Sequence, residues 1–119
     1  MALNPNNFEE ILISELELSK QEVKLFILII ESGKINLEKI STRLGIASSE
    51  AFRTATSLIE KGMIIEVTSE VYQSLHPRFA ISNGYRIRCQ KNNIEYKKNT
   101  KVDNLGLLLE LYYENARTK

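Results

Sequence analysis

A chain of 119 residues, 43% hydrophobic and 26% charged, is long enough for one modest core plus an appendage. One cysteine and one histidine exclude an intrachain disulfide and leave no way to assemble a Cys/His metal site within one chain. No apolar run approaches the ~20 residues that span a bilayer, and the N-terminus lacks a basic segment followed by an apolar stretch and a small-residue cleavage site, so a cytoplasmic location without membrane contact is expected.

The net charge of +1 hides an asymmetry. Up to Leu75 acidic residues outnumber basic ones, whereas beyond His76 the cations are Arg78, Arg86, Arg88, Lys91, Lys97, Lys98, Lys101, Arg117 and Lys119 against Glu95, Asp103, Glu110 and Glu114. A cluster from Arg86 to Lys101 could neutralise phosphates or another acidic partner, though a solvated helix face is the commoner meaning of such a run. Enzyme chemistry is not expected. Cys89 and His76 belong to no nucleophile motif, and there is no phosphate-cradling glycine loop or metal cluster, so neither a cofactor nor a metal is called for.

Asn4-Pro5 is a helix-start signal, and Phe8, Ile11 and Leu12 give the apolar spacing of a first helix to about Glu17. Ser19 with Glu22 forms a capping box before the run Val23 to Ile30, which Gly33 closes. That run is apolar on almost every side, so the pattern predicts a central core helix buried from two directions. Asn36 is positioned to cap a short helix carrying Leu37, Ile40 and Leu44 on one face, with Gly45 just past its end. Ile46 and Ala47 make a tight connection, and Ser48 opens a helix whose stripe is Ala51, Phe52, Ala55, Leu58, Ile59 and Gly62.

The pair reads as a helix-turn-helix. The opposite face of its second helix holds Ser49, Glu50, Arg53 and Ser57, flanked by Thr54 and Thr56. Short polar side chains around one arginine let a helix sit deep in a major groove, with the arginine able to pair bidentately with guanine. The same pattern is also the ordinary amphipathic helix of any small helical domain. Met63 to Val67 and Val71 to Leu75 are β-rich runs separated by Thr68-Ser69-Glu70, and they read as a hairpin to which Ile35 adds a short third strand. Three helices followed by a hairpin is the order of a winged helix.

From Phe8 to about Tyr85 the chain resembles the TrmB family of transcription regulators. The features that carry the resemblance are the Leu18-Ser19 helix start, Glu22-Val23-Lys24 in the core helix, the Gly45-Ile46 turn, and Ser57-Leu58-Ile59-Glu60-Lys61-Gly62-Met63-Ile64 leading into the wing. The resemblance implies binding of double-stranded DNA as a dimer, with Ser48, Ser49, Arg53 and Ser57 at base-reading positions. Larger members carry a sugar-binding effector domain; this chain is too short to hold one, and no small-molecule effector is expected. The wing departs from the family, in which wings are longer and basic. Here Glu66 and Glu70 flank the turn, and an acidic tip is repelled by phosphate. Either the basic back third supplies the phosphate contacts or the domain binds protein in a larger assembly.

The segment from His76 to Cys89 reads two ways. Phe79, Ile81, Tyr85, Ile87 and Cys89 alternate around Asn83-Gly84, a hairpin signal, while Pro77 suits a helix start and the resembling family is helical here. Helix is the favoured reading. A connector from Lys91 to Lys101 then leads to a last helix from about Val102 to Arg117. Val102, Leu105, Leu109, Tyr112 and Ala116 follow a coiled-coil spacing that Leu108 widens, so Val102, Leu105, Leu108, Leu109 and Tyr112 are the expected homodimer interface; folding back onto Val23 to Ile30 is the other possibility.

The expectation is thus a mainly α fold with a small β-hairpin: a winged helix-turn-helix over residues 1–75, then a basic, helical dimerisation segment over residues 76–119. The expected DNA-binding set is Lys39, Arg43, Ser48, Ser49, Arg53, Thr54, Ser57, Arg86, Arg88, Lys97 and Lys98.

Overall fold

In the computed structural model, which describes residues 5–117, six helices and three short strands form a winged helix followed by two C-terminal helices. Helix α1 spans Pro5–Leu16; Asn4, half of its expected start signal, lies outside the described residues. Helix α2 (Lys20–Ser32) begins at the expected capping box. Ser19 Oγ accepts from the Glu22 amide at 3.1 Å, and Glu22 Oε1 accepts from the Ser19 amide at 2.8 Å. Strand β1 (Lys34–Asn36) leads into α3 (Leu37–Leu44), capped by Asn36 Oδ1 on the Lys39 amide at 2.8 Å. Gly45 ends α3 in the left-handed conformation at φ 66°, where a side chain is strained, and the chain turns at once into α4 (Ser48–Glu60).

Strands β2 (Ile64–Thr68) and β3 (Val71–Ser74) are the wing. The sheet order is β1-β3-β2, antiparallel throughout, with Ile35 opposite Tyr72, so Ile35 does bring a third strand. Ile35, Ile64 and Tyr72 face inward and close one end of the core.

Pro77 opens a helix, α5 (Pro77–Lys91), and the hairpin alternative falls. The Asn83-Gly84 pair that suggested a turn serves packing. A Cβ on Gly84 would meet Leu16 Cδ2 at 2.7 Å and Met63 Sδ at 2.9 Å, so glycine lets α5 lie close against α1 and the wing's entry. Asn83 Nδ2 donates to the Gly62 carbonyl at 2.8 Å, holding the turn after α4. His76 caps α5 through Nδ1, and Asn99 Oδ1 accepts from the Val102 amide at 3.2 Å at the start of α6 (Thr100–Arg117).

Val23, Leu25, Phe26, Ile29 and Ile30 of α2 are buried, and α2 packs on α1, α3, α4, α6 and the strands β1 and β3. The central position expected from its all-round apolar surface is the one it occupies. Helix α6 lies against α5, α2 and α1, and Val102, Leu105 and Leu109 are buried there. These three expected interface residues are therefore occupied within one chain. Tyr112 is half-buried with its ring edge-on to Phe8 at 5.8 Å, and Leu108 is exposed together with Leu107 and Leu111. The spacing identified the right stripe of α6, but the apolar surface that receives it is α5 and α2. The expected boundary after Leu75 falls in the short link between β3 and α5, and residues on both sides of it contribute to the same buried cluster. No helix among the described residues is long and apolar enough to cross a membrane.

Candidate nucleic-acid interface

Helix α4 is rotated relative to the expected stripe. Its buried line is Ala51, Thr54, Ala55 and Leu58, while Phe52, expected in the core, is 49% exposed. Thr54 can take the inward position because its hydroxyl is satisfied: it donates to the Glu50 carbonyl at 2.8 Å and accepts from Gln21 Nε2 at 2.7 Å. A buried threonine in the line swings Phe52 outward.

Two expected reading residues are consequently committed to the fold. Thr54 faces Gln21 of α2, and the Ser57 hydroxyl donates to the Glu22 carboxylate. Ser48, Ser49 and Arg53 are exposed as expected. Thr56 sends its hydroxyl to the Phe52 carbonyl at 2.8 Å, so the outward face consists of Ser49, Phe52 and Arg53 in its first two turns.

Glu22 ties this helix to α2. Its Oε2 accepts from Lys61 Nζ at 2.7 Å and from Ser57, while Oε1 holds the cap. Burial raises the Glu22 carboxyl, but hydrogen bonds from Lys61, Ser57 and the Ser19 amide outweigh it and leave its pKa below the ordinary 4.5. The carboxylate thus stays charged in a half-enclosed place, and α4 is fixed in azimuth by it.

Between α4 and the start of α2 runs a shallow groove of about 530 Å³. Arg53, Lys61 and Lys91 line it, together with Glu17, Glu22 and Glu50. Arg88 reaches the same rim, its Nε donating to Glu17 Oε2 at 3.2 Å. Sequence reasoning had not singled out Lys91 or Lys61 as partners of Arg53. The available signal was that Arg88 and Lys91, three apart on one helix, share a face.

The remaining expected residues are dispersed. Lys39 and Arg43 are exposed on α3, where they line a depression of about 290 Å³ with Asn36, Glu38 and Thr42. Arg86 is exposed and lies over the Tyr96 ring, 5.4 Å from its centroid. Lys97 and Lys98 are exposed in the connector to α6, with Lys97 Nζ 3.7 Å from Glu95 Oε2. In the wing, Glu66 Oε2 accepts from the Glu70 amide at 2.7 Å, and Glu70 stands at φ 60°. Glu66 thus closes the turn of the wing.

One cluster of metal-ligand type exists among the described residues: His76, Glu110 and Glu114 bring ligand atoms within 4.8 Å of one another. His76 Nδ1 accepts from the Arg78 amide at 3.2 Å, which puts the ring proton on Nε2, and that nitrogen faces Glu110 at 3.3 Å. A ring in this tautomer donates to the Glu110 carboxylate while Nδ1 serves as the cap of α5.

The arrangement offers hydrogen-bond donors and one guanidinium on a projecting helix, with cations on neighbouring elements. Set beside known proteins, residues 12–79 match the model of a family described as sugar-specific transcriptional regulator TrmB. Neither the curated proteins nor the solved structures yield a match.

Proposed function

Because the chain belongs to the TrmB family of sugar-specific transcriptional regulators, we propose that it regulates transcription by binding double-stranded DNA as a homodimer, with α4 in the major groove. The observation that carries this reading is Arg53. It is exposed near the middle of α4's outward face, in a groove shared with Lys61 and Lys91. A guanidinium there can pair bidentately with guanine O6 and N7 while the lysines neutralise flanking phosphates. Lys39, Arg43, Arg86, Lys97 and Lys98 are further candidates for the backbone, and Ser48 and Ser49 stand at the end of α4 that enters a groove first. Dimerisation uses the outer side of α6, where Leu107, Leu108 and Leu111 are exposed.

Binding to random duplex DNA across salt concentration tests the reading. Each neutralised phosphate adds roughly 0.9 to the slope of log affinity against log salt, so steep weakening is expected. The acidic wing favours a second reading, in which the same surfaces join protein subunits. A flat salt response with no duplex binding selects that alternative.

A further inference from the structure

Helix α4 carries one large apolar side chain that lies outside the core. Phe52 is 49% exposed and stands outside the buried cluster, although Ala51 beside it is fully enclosed. It stacks on no other ring among the described residues. Ser49 lies one turn before it and Arg53 next to it, both exposed, and the Thr56 hydroxyl one turn on is taken by Phe52's own carbonyl. The ring is thus an apolar point between two hydrogen-bonding residues on the side of α4 that faces away from the core.

The major-groove edges of the base pairs offer one apolar feature, the C5 methyl of thymine, and a phenylalanine is among the side chains that pack on it. We infer that Phe52 is a specificity-determining residue that packs on a pyrimidine C5 methyl, so that α4 selects a thymine beside the base pair contacted by Arg53. This rests on the DNA reading proposed above. It adds a criterion that hydrogen bonding alone does not supply, because uracil presents the same donors and acceptors as thymine and lacks only the methyl.

The test begins with selection of duplexes from a randomised library by the wild-type chain and by Phe52→Ala. Each thymine of the best wild-type duplex is then replaced in turn by deoxyuridine. For the wild type, one replacement lowers affinity about fourfold, the factor corresponding to one methyl group removed from water. Phe52→Ala binds the thymine and uracil duplexes equally and keeps the wild-type salt slope, while Phe52→Leu retains part of the discrimination. Because Phe52 lies outside the buried cluster, neither substitution opens a cavity in the core. If no thymine matters to the wild type, or if Phe52→Ala discriminates as the wild type does, the assignment falls while DNA binding stands. If the library yields no bound duplex at all, the DNA reading fails first and takes this one with it.

Discussion

The Glu22 carboxylate receives the Lys61 ammonium at 2.7 Å, joining the first turn of α2 to the residue that ends α4. Glu22→Gln keeps the shape and removes the charge. The expected loss of stability is about 1–3 kcal/mol, the range for removing one partner of a charged, partly buried hydrogen bond. Urea unfolding measures it, with the midpoint falling at an unchanged slope.

The same carboxyl fixes a pH dependence. Its pKa in the folded chain lies below the ordinary 4.5, so its contribution is complete above pH 4.5 and is lost as pH falls through the folded value. The stability gap between wild type and Glu22→Gln is therefore widest near neutrality and narrows in acid below 4.5. A gap of constant size down to the acid transition contradicts the assignment.

Arg53→Ala is expected to cost about 1–3 kcal/mol of DNA affinity and to relax preference at one base position, as for loss of a bidentate guanine contact. Selection from a randomised duplex library reads both effects. Unchanged affinity and preference remove α4 from base reading.

Replacing Arg86, Arg88, Lys97 and Lys98 together by glutamine separates backbone gripping from a solvated face. If these residues contact phosphates, the salt slope of DNA binding flattens, whereas Glu70→Lys at the wing tip leaves affinity unchanged or tightens it. A quadruple variant with the parent slope assigns the phosphate contacts elsewhere.

On α6, inner and outer faces predict opposite outcomes. Leu107→Glu with Leu111→Glu, at exposed positions, is expected to give a folded monomer in sedimentation, because it charges only the face offered to a second copy. Ending the chain at Lys101 removes the buried Val102, Leu105 and Leu109 and is expected to unfold it. A truncated chain that stays folded shows that the rest of the core stands without α6.

Periodicity and capping chemistry made most of the architecture legible. Ser19, Asn36, Gly33 and Gly45 punctuate the helices where their side chains or backbone freedom require it. The azimuth of α4 was not legible, because a threonine reads as polar until Gln21, distant in sequence, is known to meet its hydroxyl. Ser57 likewise looks like a reading residue until Glu22 is placed beside it. For α6 the pattern named the face to be buried but not what buries it, since an apolar stripe is satisfied equally by its own chain or a second one. Asn83-Gly84 gives a local turn signal that a long-range constraint overrides: Gly84 is small because α1 passes close by.

The enclosure of Val102, Leu105 and Leu109 by α5, α2 and α1 also sets an order of events during synthesis. Helix α6 follows α2 in the chain, so α2 leaves the ribosome before that cover is made and with part of its apolar surface still wet. At ~5–20 residues per second the 18 residues of α6 take roughly 1–4 s to add, and for that interval α2 lacks the cover that α6 supplies. A chain built this way passes through a window in which chaperone capture competes with closure.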